Sequence, residues 1–238
     1  MDFIEKIDEI DEMWDCRTRA LVGNDGVEKL KKSRITIFGI GGVGSFAAEA
    51  LARAGIGCLT LVDFDTVNLS NLNRQIIALT NTIGRLKTDV MKERISLINP
   101  DCDVRIFSEF VNSENIDDFL KDTPDYVIDA IDSVKSKVEL IERCTKRNIP
   151  VVSCMGMGNK IDNSKIILED ISKTHTCPLA RAVRTGLKKR GIYNNVQTVF
   201  SSELPVKSDI GTPASISFVP STAGLIMAGV AIRNLLKL

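Results

Sequence analysis

Cations and carboxylates suited to polyphosphate chemistry occur in three short motifs of this sequence. Arg74 lies in NLNRQ, Lys87 lies in GRLKTD, and Asp129 and Asp132 lie in VIDAIDS. Phosphoryl and nucleotidyl transfer need cations that spread the negative charge of the transition state, and a carboxylate that holds Mg²⁺ on the phosphates. Arg74 and Lys87 also fit ordinary surface charges, and Asp132 fits a helix cap. Their joint occurrence favours the catalytic interpretation.

A glycine-rich segment offers a place for phosphates. The stretch FGIGGVGS at 38–45 follows a predicted strand, opens a predicted helix and carries the GxGxxG pattern at Gly39, Gly41 and Gly44. Glycine permits unusual dihedral angles and lets phosphate oxygens approach the backbone, at a helix N-terminus whose free N–H groups favour anions. This context predicts a nucleotide-binding turn.

A dehydrogenase that uses NAD is one alternative. The second predicted strand ends at Asp63, where dinucleotide-binding folds place an acidic residue on the ribose hydroxyls. However, the polar stretch DTVNLSNLNRQ at 65–75 supplies groups that hydride transfer does not need. The single histidine, His175 in KTHTCP, is more typical of a solvated loop residue than of a catalyst. The pattern therefore favours a triphosphate ligand.

The elements that must position these residues alternate along the chain. Short β-rich runs lie at 34–40, 58–64, 103–110, 126–131 and 151–156. Helical patterns fill the gaps at 45–54, 86–98, 114–121 and 135–147. This alternation is typical of parallel strands joined by crossover helices, and it predicts an α/β fold with a Rossmann-like, doubly wound, mainly parallel sheet. The C-terminal ends of such strands border the crevice where ligands bind.

The alternation weakens beyond about residue 160, which predicts a mixed C-terminal extension. The segments KIILEDI, QTVFSSELPV and SISFVP are predicted strands, with a helix at 178–190 and an apolar helix at 221–232. The apolar stretch is shorter than the roughly 20 residues that span a bilayer, and the N-terminus is too acidic for a signal peptide. We expect a soluble, cytoplasmic protein with no membrane partner.

Charge and cysteine content exclude other classes. Lys plus Arg equals Asp plus Glu at 31 each, so affinity for nucleic acid would need a local basic patch. The six cysteines stand at 16, 58, 102, 144, 154 and 177, without the CxxC spacing of zinc knuckles and redox pairs. Reduced thiols in a cytosolic protein are the favoured interpretation.

A family resemblance rests on four motifs in this order and spacing: GIGGVGS, LVDFDTVNLSNLNRQ, GRLKTD and DAIDS. Over roughly residues 15 to 160 they resemble the adenylating domain of ubiquitin-activating-type enzymes, the ThiF/MoeB superfamily. The resemblance implies ATP and Mg²⁺ as cofactors. Positions implied for ATP are Gly39, Gly41, Gly42, Gly44, Asp63, Asp65, Asn71, Arg74, Gln75 and Lys87.

The resemblance also implies individual roles. Asp63 would hold the ribose, while Asn71, Arg74 and Lys87 would contact the triphosphate. Asp132 would bind Mg²⁺, and Asp129 is a weaker candidate because it lies within the strand. Family members are homodimers in which an N-terminal arginine reaches the partner's ATP. Arg17 is the candidate here, with Arg19 as the alternative.

Segments outside the core narrow the branch. The pieces SFAAEALARAGIG, SNLNRQI, DISKTHTCPLARAVRTGLKKRGI and VFSSELP resemble the tRNA threonylcarbamoyladenosine dehydratase branch over nearly the whole chain. This resemblance implies activation by ATP of the carboxylate of the modified adenosine at tRNA position 37, followed by closure of its carbamoyl group on the acyl-adenylate. Intramolecular attack has a large effective molarity, so no enzyme nucleophile is needed. A sulfur-relay partner protein is a further partner to consider.

Two other functions remain open at this point. An activator of a ubiquitin-like sulfur-carrier protein has the same adenylating core, but usually carries two zinc-binding CxxC pairs that this chain lacks. For a thioester-forming member, Cys154 and Cys177 are the only sensible nucleophiles. The third candidate is a non-catalytic nucleotide-binding regulator.

The segment LARAVRTGLKKRG is the only dense basic run of the sequence. Arg181, Arg184 and Lys188 fall on one helical face, and Lys189 and Arg190 are adjacent. Such runs are usually solvated, but for a tRNA-binding protein we predict that these five side chains contact phosphates. We divide the chain into an N-terminal helical segment that serves the dimer and the ATP site (1–33), an adenylating core (34–158) and a tRNA-facing lobe (159–238).

Overall fold

The computed structural model describes residues 13–207 and 212–238. Within these ranges the strands are β1 Arg34–Phe38, β2 Cys58–Val62, β3 Asp103–Phe107, β4 Tyr126–Asp129, β5 Val151–Cys154, β6 Ile166–Asp170 and β7 Gln197–Ser201. They form one sheet in the order β3-β2-β1-β4-β5-β7-β6. Neighbours run parallel except for β6 and β7, which are antiparallel. The predicted doubly wound, mainly parallel sheet with a mixed C-terminal extension is confirmed.

Helices connect the strands and cover both faces of the sheet. They are α1 Cys16–Lys32, α2 Gly44–Arg53, α3 Lys87–Ser96, α4 Ile116–Phe119, α5 Val134–Lys146, α6 Pro178–Lys188 and α7 Phe218–Leu236. Helices α1, α2, α3 and α7 contribute to one core cluster, and α4 and α5 contribute to a second cluster on the opposite face. Helix α6 packs in a third cluster with α5 and β7.

Consecutive apolar residues in the strands match this two-sided burial. In β1, Ile37 lies in the first cluster and Phe38 in the second, and in β7 Val199 and Phe200 divide between the first and third. Successive strand residues point to opposite faces, so a strand covered on both sides is apolar throughout. The runs that predicted strands without hydrophobic alternation are therefore central parallel strands.

The segment SISFVP was predicted as a strand, and this prediction is wrong. Residues 213–216 are irregular, and helix α7 begins at Phe218, so Pro220 stands in its first turn. Proline is tolerated there because the N–H that it lacks has no partner within the helix. The β-branched and aromatic residues of SISFVP resemble a strand locally, whereas the contact of Pro220 with the glycine-rich turn is long-range: a Cβ on Gly42 would lie 3.3 Å from Pro220 Cβ.

Helix α7 is longer than predicted, with 19 residues, and is apolar and long enough to cross a membrane by length and composition. Its buried residues include Val219, Ala223 and Met227, which belong to the core cluster beneath α2. At Gly224 a Cβ atom would lie 2.3 Å from the Val43 carbonyl oxygen, so only glycine permits this crossing of α7 and the start of α2. This helix therefore supports the glycine-rich turn that leads into α2.

Candidate active site

The glycine-rich turn between β1 and α2 is shaped by close backbone contacts. Gly39 has a φ of +87°, and a Cβ there would lie 2.7 Å from the Ala130 carbonyl oxygen after β4. At Gly44 a Cβ would lie 1.7 Å from the Gly39 carbonyl oxygen. These two glycines are therefore required by the turn itself, at the point where the sheet order reverses between β1 and β4.

Gly41 and Gly42 face the segment that carries Arg74 and Gln75. Among the described residues, a Cβ at Gly41 would meet only Gln75 Nε2 within 4 Å, at 3.7 Å. A Cβ at Gly42 would lie 3.4 Å from Arg74 Cγ. Gln75 is buried, and its Oε1 has no hydrogen-bond partner among the described residues. An unpaired buried amide oxygen is costly, so its position beside an open backbone cradle fits a polar ligand.

Asp63 is held rigidly where β2 ends. Its Oδ2 accepts a hydrogen bond from the Ile40 N–H at 2.6 Å, and its Oδ1 accepts one from the Asp65 N–H at 2.8 Å. Burial raises the pKa of this carboxyl, against the opposing charge of Lys87. Each oxygen keeps a free lone pair, so the side chain is suited to accept hydrogen bonds from ribose hydroxyls.

The polar crossover after β2 folds back on itself to bring Lys87 to the crevice. The Gly84 N–H donates to Val67 O, and the Lys87 N–H donates to Asp65 O. Lys87 is the first residue of α3, is only 5% exposed, and donates from Nζ to Asp65 Oδ2 at 2.7 Å. The interpretation of Lys87 as an ordinary surface charge is therefore excluded.

The asparagines of the crossover have structural contacts. Asn71 Oδ1 accepts from the Asn68 N–H at 3.0 Å, and Asn73 Nδ2 donates to Ser215 O at 3.0 Å. Arg74 Nη1 donates to Asn73 Oδ1 at 2.9 Å and to the Ser70 carbonyl. These contacts preorganise the guanidinium beside the glycine-rich turn.

The two aspartates of VIDAIDS have different surroundings. Asp129 is fully buried, and its Oδ2 accepts from Lys137 Nζ at 2.8 Å and from Ser153 Oγ at 2.6 Å. Asp132 is exposed, and the cap of α5 is Ser133, whose Oγ accepts from the Ser136 N–H. The helix-cap interpretation of Asp132 is therefore wrong, which leaves its carboxylate facing solvent near the turn.

A cation site built from protein ligands alone is not present in the described residues, where no three His, Cys, Asp or Glu side chains converge. Mg²⁺ usually keeps several waters and is held through one or two carboxylates together with the phosphates of the substrate. A single exposed carboxylate at Asp132 matches that mode of binding. The chemistry of the donors thus fits a cation that enters with a nucleotide.

The sequence interpretation missed two aromatic residues at this edge. Phe64 and Phe110 are about half exposed, with ring centroids 5.1 Å apart in an edge-to-face arrangement. Phe64 directly follows Asp63, and Phe110 lies three residues beyond the end of β3. Exposed aromatic side chains beside a carboxylate that can accept hydrogen bonds from a ribose are suited to contact a purine base. The sequence feature that could have identified Phe64 is its position directly after Asp63, where β2 ends.

The two N-terminal arginine candidates differ in their contacts. Arg19 forms an ion pair with Asp15 at 2.9 Å and donates to Asn24 Oδ1 at 3.0 Å. Arg17 is exposed on α1 and forms no ion pair with residues 13–207 or 212–238. The exposure of Arg17 therefore favours it over Arg19 as the candidate.

The predicted basic helix is observed as α6, but its five cations divide into two groups. Arg184 Nη1 donates to the Thr174 carbonyl at 2.8 Å, and Arg190 pairs with Glu139 and Glu142 of α5. The remaining three are exposed and form no ion pair within the part of the chain that the structure describes; they are Arg181, Lys188 and Lys189. Phosphate contacts are thus most accessible to these three.

Both candidate cysteine nucleophiles are buried. Cys154 is 3% exposed and Cys177 is 4% exposed. Burial raises the pKa of the Cys154 thiol to about 12, which opposes formation of the reactive thiolate. The geometry therefore favours a reaction without an enzyme thioester.

The doubly wound sheet, the glycine-rich turn at its switch point and the anchored carboxylate after β2 define a Rossmann-like nucleotide-binding protein. The ThiF family model matches residues 16–238, and the chain belongs to this family.

Two known dehydratases are similar to this chain over almost its whole length. The tRNA threonylcarbamoyladenosine dehydratase of Bacillus subtilis is 46% identical, and the match covers 93% of this chain and 94% of the relative. Crystal structures of the Escherichia coli tRNA N6-threonylcarbamoyladenosine dehydratase in complex with AMP and with ATP are 39% identical, with TM-scores of 0.89 and 0.88. Each covers 93% of both chains. The sulfur carrier protein ThiS adenylyltransferase of Escherichia coli is 37% identical, but over only 56% of this chain.

Proposed function

We propose that this chain is an ATP-dependent tRNA threonylcarbamoyladenosine dehydratase, which activates the carboxylate of the modified adenosine at position 37 as an acyl-adenylate and lets it cyclise. The observation that carries the proposal is the similarity of nearly the full chain to dehydratases, combined with a crevice built for a nucleotide. The sulfur-carrier activator, our alternative from the sequence, shares only the adenylating core.

The residues of the crevice divide the binding of ATP among them. Asp63 accepts hydrogen bonds from the ribose hydroxyls, and the backbone from Gly39 to Gly44 faces the phosphates. Asp65 orients Lys87. The amides of Asn71 and Gln75 complete the polar wall.

Adenylation is a nucleotidyl transfer. A substrate carboxylate oxygen forms a bond to the α-phosphorus, and the bond from that phosphorus to pyrophosphate breaks, so pyrophosphate leaves with the electron pair. Arg74 and Lys87 stabilise the negative charge that develops on the phosphates. Asp132 would hold Mg²⁺, which supplies further charge neutralisation when bound.

Cyclisation needs no enzyme nucleophile. The carbamoyl group attacks the activated carbonyl carbon, the bond from that carbon to the AMP oxygen breaks, and the carbamoyl group loses one proton. The sum of both steps removes one water from the nucleoside at the expense of ATP. Buried Cys154 and Cys177 have no role in this sequence of reactions.

The cellular location, the homodimer, the partner protein and the roles of the three segments are also part of this proposal. The chain acts in the cytoplasm as a homodimer, in which Arg17 reaches the ATP bound by the partner, supported by its exposure on α1. A sulfur-relay protein is a candidate partner, since sulfur-carrier adenylyltransferases are relatives. The N-terminal segment at 1–33, the core at 34–158 and the lobe at 159–238 keep their predicted roles, although residues 1–12 lie outside the described part.

Release of AMP and pyrophosphate by the purified protein tests the proposed function. We expect product formation with ATP only when tRNA carries threonylcarbamoyladenosine, and nucleoside mass spectrometry should show a product lighter by one water. Unmodified tRNA is the matched control. Turnover that ignores the modified tRNA but requires a protein ending in Gly-Gly would instead identify a sulfur-carrier activator.

Replacing Lys188 and Lys189 together by alanine is expected to weaken tRNA binding without changing ATP binding. Each lost phosphate contact should reduce the slope of log Kd against log salt by about 1. Filter binding between low and moderate salt measures the slope. Lys121→Ala is the control, because Lys121 is an exposed lysine between α4 and β4 and does not line the groove along α6. An unchanged slope in the double variant would remove this helix from the RNA interface.

A further inference from the structure

An open groove of about 700 Å³ runs along α6, from the residues that precede the helix to Lys189 at its C-terminal end. Its lining includes His175, Thr176, Cys177, Arg181 and Lys189. The groove contains none of the residues assigned to ATP, and its volume is in the range of small-molecule pockets. An accessible ring and two exposed cations in one concave site suit an aromatic, anionic ligand.

The groove lies at the same edge of the sheet as the nucleotide crevice. Thr176 Oγ1 donates to Ser201 O, the last residue of β7, at 3.3 Å. Cys177 Sγ lies 3.5 Å from where a Cβ on Gly156 would stand, two residues after β5 ends. Because β5 is the neighbour of β4, the C-terminal ends of β4, β5 and β7 place Asp132 and the groove side by side.

Helix packing brings the groove towards Asp132. Gly186 contacts Val138, where a Cβ would lie 2.8 Å from Val138 Cγ2, and Arg190 pairs with Glu142. In both contacts the two residues are separated by the same number of positions in the sequence. This is the pattern of two helices that run in the same direction, so α6 runs parallel to α5. Continued towards the N-termini, this register sets Arg181 about level with the start of α5, directly after Asp132. A ligand in the groove would therefore extend towards Asp132.

His175, the single histidine of the chain, is held in a defined orientation at this groove. It is exposed, and its ring meets the buried Phe200 edge-on, with centroids 5.2 Å apart and an interplanar angle of 88°. The next residue, Thr176, has a φ of +57° and is tied to β7. An aromatic ring fixed on one edge, with its remaining surface accessible, can stack on an unpaired RNA base.

We propose that this groove receives the reacting nucleotide of the tRNA, with His175 stacked on a base and with Arg181 and Lys189, which follow His175 along α6, contacting phosphates of the same RNA strand. The inference rests on the proposed function and names the part of the molecule that recognises its RNA substrate. A flexible peptide tail carries one carboxylate but neither a base nor flanking phosphates, so it matches this combination of ring and cations less well.

Kinetics of His175→Ala and His175→Phe test the proposal on the full-length protein. With a threonylcarbamoyl-modified anticodon stem-loop as substrate, we expect His175→Ala to raise KM by about tenfold or more, the scale of one lost base stack. His175→Phe should restore most of the affinity, because phenylalanine also stacks. The Kd for ATP without RNA should be unchanged in both variants, which also shows that they are folded.

A second measurement uses the fact that His175 is the only histidine. Its ring signals in NMR spectra of the wild type should shift when the modified stem-loop is added. Ring signals that do not respond, or a KM of His175→Ala within twofold of the wild type, would overturn the proposal. If the wild type itself forms no AMP in response to modified tRNA, the proposed function fails. If the wild type is active and His175→Ala has the same KM as the wild type, only the groove assignment fails.

Discussion

Lys87→Ala is expected to lower the rate of pyrophosphate release at saturating ATP by about 10²-fold or more. Lys87 is a buried ammonium, fixed 2.7 Å from Asp65 and delivered by the start of α3 to the crevice that holds the glycine-rich turn. A preorganised charge stabilises a developing phosphate charge without reorganisation, and removing one such partner usually costs this much in rate. The measurement is single-turnover release of pyrophosphate with modified tRNA.

Lys92→Ala is the matched control, because Lys92 lies exposed on the same helix. It should retain nearly the rate of the wild type. Thermal unfolding of both variants separates a catalytic loss from a folding defect, since Lys87→Ala also leaves Asp65 without its partner. A folded Lys87→Ala variant that releases pyrophosphate at the rate of the wild type would show that Lys87 does not act on the phosphates.

Asp129→Ala is expected to lower the free energy of unfolding by about 3–5 kcal/mol. Asp129 and Lys137 are both fully buried. The substitution leaves an ammonium in the core whose one remaining hydrogen-bond acceptor in the described part of the chain is Ser153 Oγ, at 3.3 Å. Removing one partner of a buried pair is strongly destabilising because the remaining charge stays desolvated. Chemical denaturation monitored by circular dichroism gives the difference.

Two further variants make this stability prediction specific. Asp129→Ala combined with Lys137→Met should be more stable than Asp129→Ala alone, because the uncompensated charge is gone. Lys165→Ala removes an exposed ion pair with Asp162 and should change stability by less than about 1 kcal/mol. A loss below about 1 kcal/mol for Asp129→Ala would mean that the buried pair is not a determinant of stability.

The contrast between the two aspartates of VIDAIDS shows where local pattern stops being informative. Both lie near the end of β4 and both are carboxylates. Their spacing therefore indicates a site at this position, but does not show which of the two aspartates belongs to it. Asp129 points into the core towards Lys137 and Ser153, whereas Asp132 follows the strand and is exposed. Only the packing of α5 and β5 against β4 separates a structural anchor from a candidate ligand of Mg²⁺.

The same distinction applies to the cations. Five basic residues in one helical run are equivalent by composition, yet Arg184 is bonded to the Thr174 carbonyl and Arg190 is paired with α5. By sequence alone, Lys87 is compatible with an ordinary surface charge. In the structure, the crossover places it against Asp65, which lies 22 residues earlier in the chain. Partners of this kind lie outside the range of any helix or strand periodicity.

The amino-acid sequence by itself determined the alternation of strands and helices, the position of the glycine-rich turn and the order of its polar motifs. These features depend on local geometry: strand and helix periods, the conformational freedom of glycine, and the end of a strand. Tertiary structure alone decided that α7 replaces the predicted strand at SISFVP, that Asp129 is buried, and that His175 rests on Phe200 beside a groove. Those outcomes depend on contacts between segments far apart in the chain, because the surroundings of a side chain are set by the elements that pack on it.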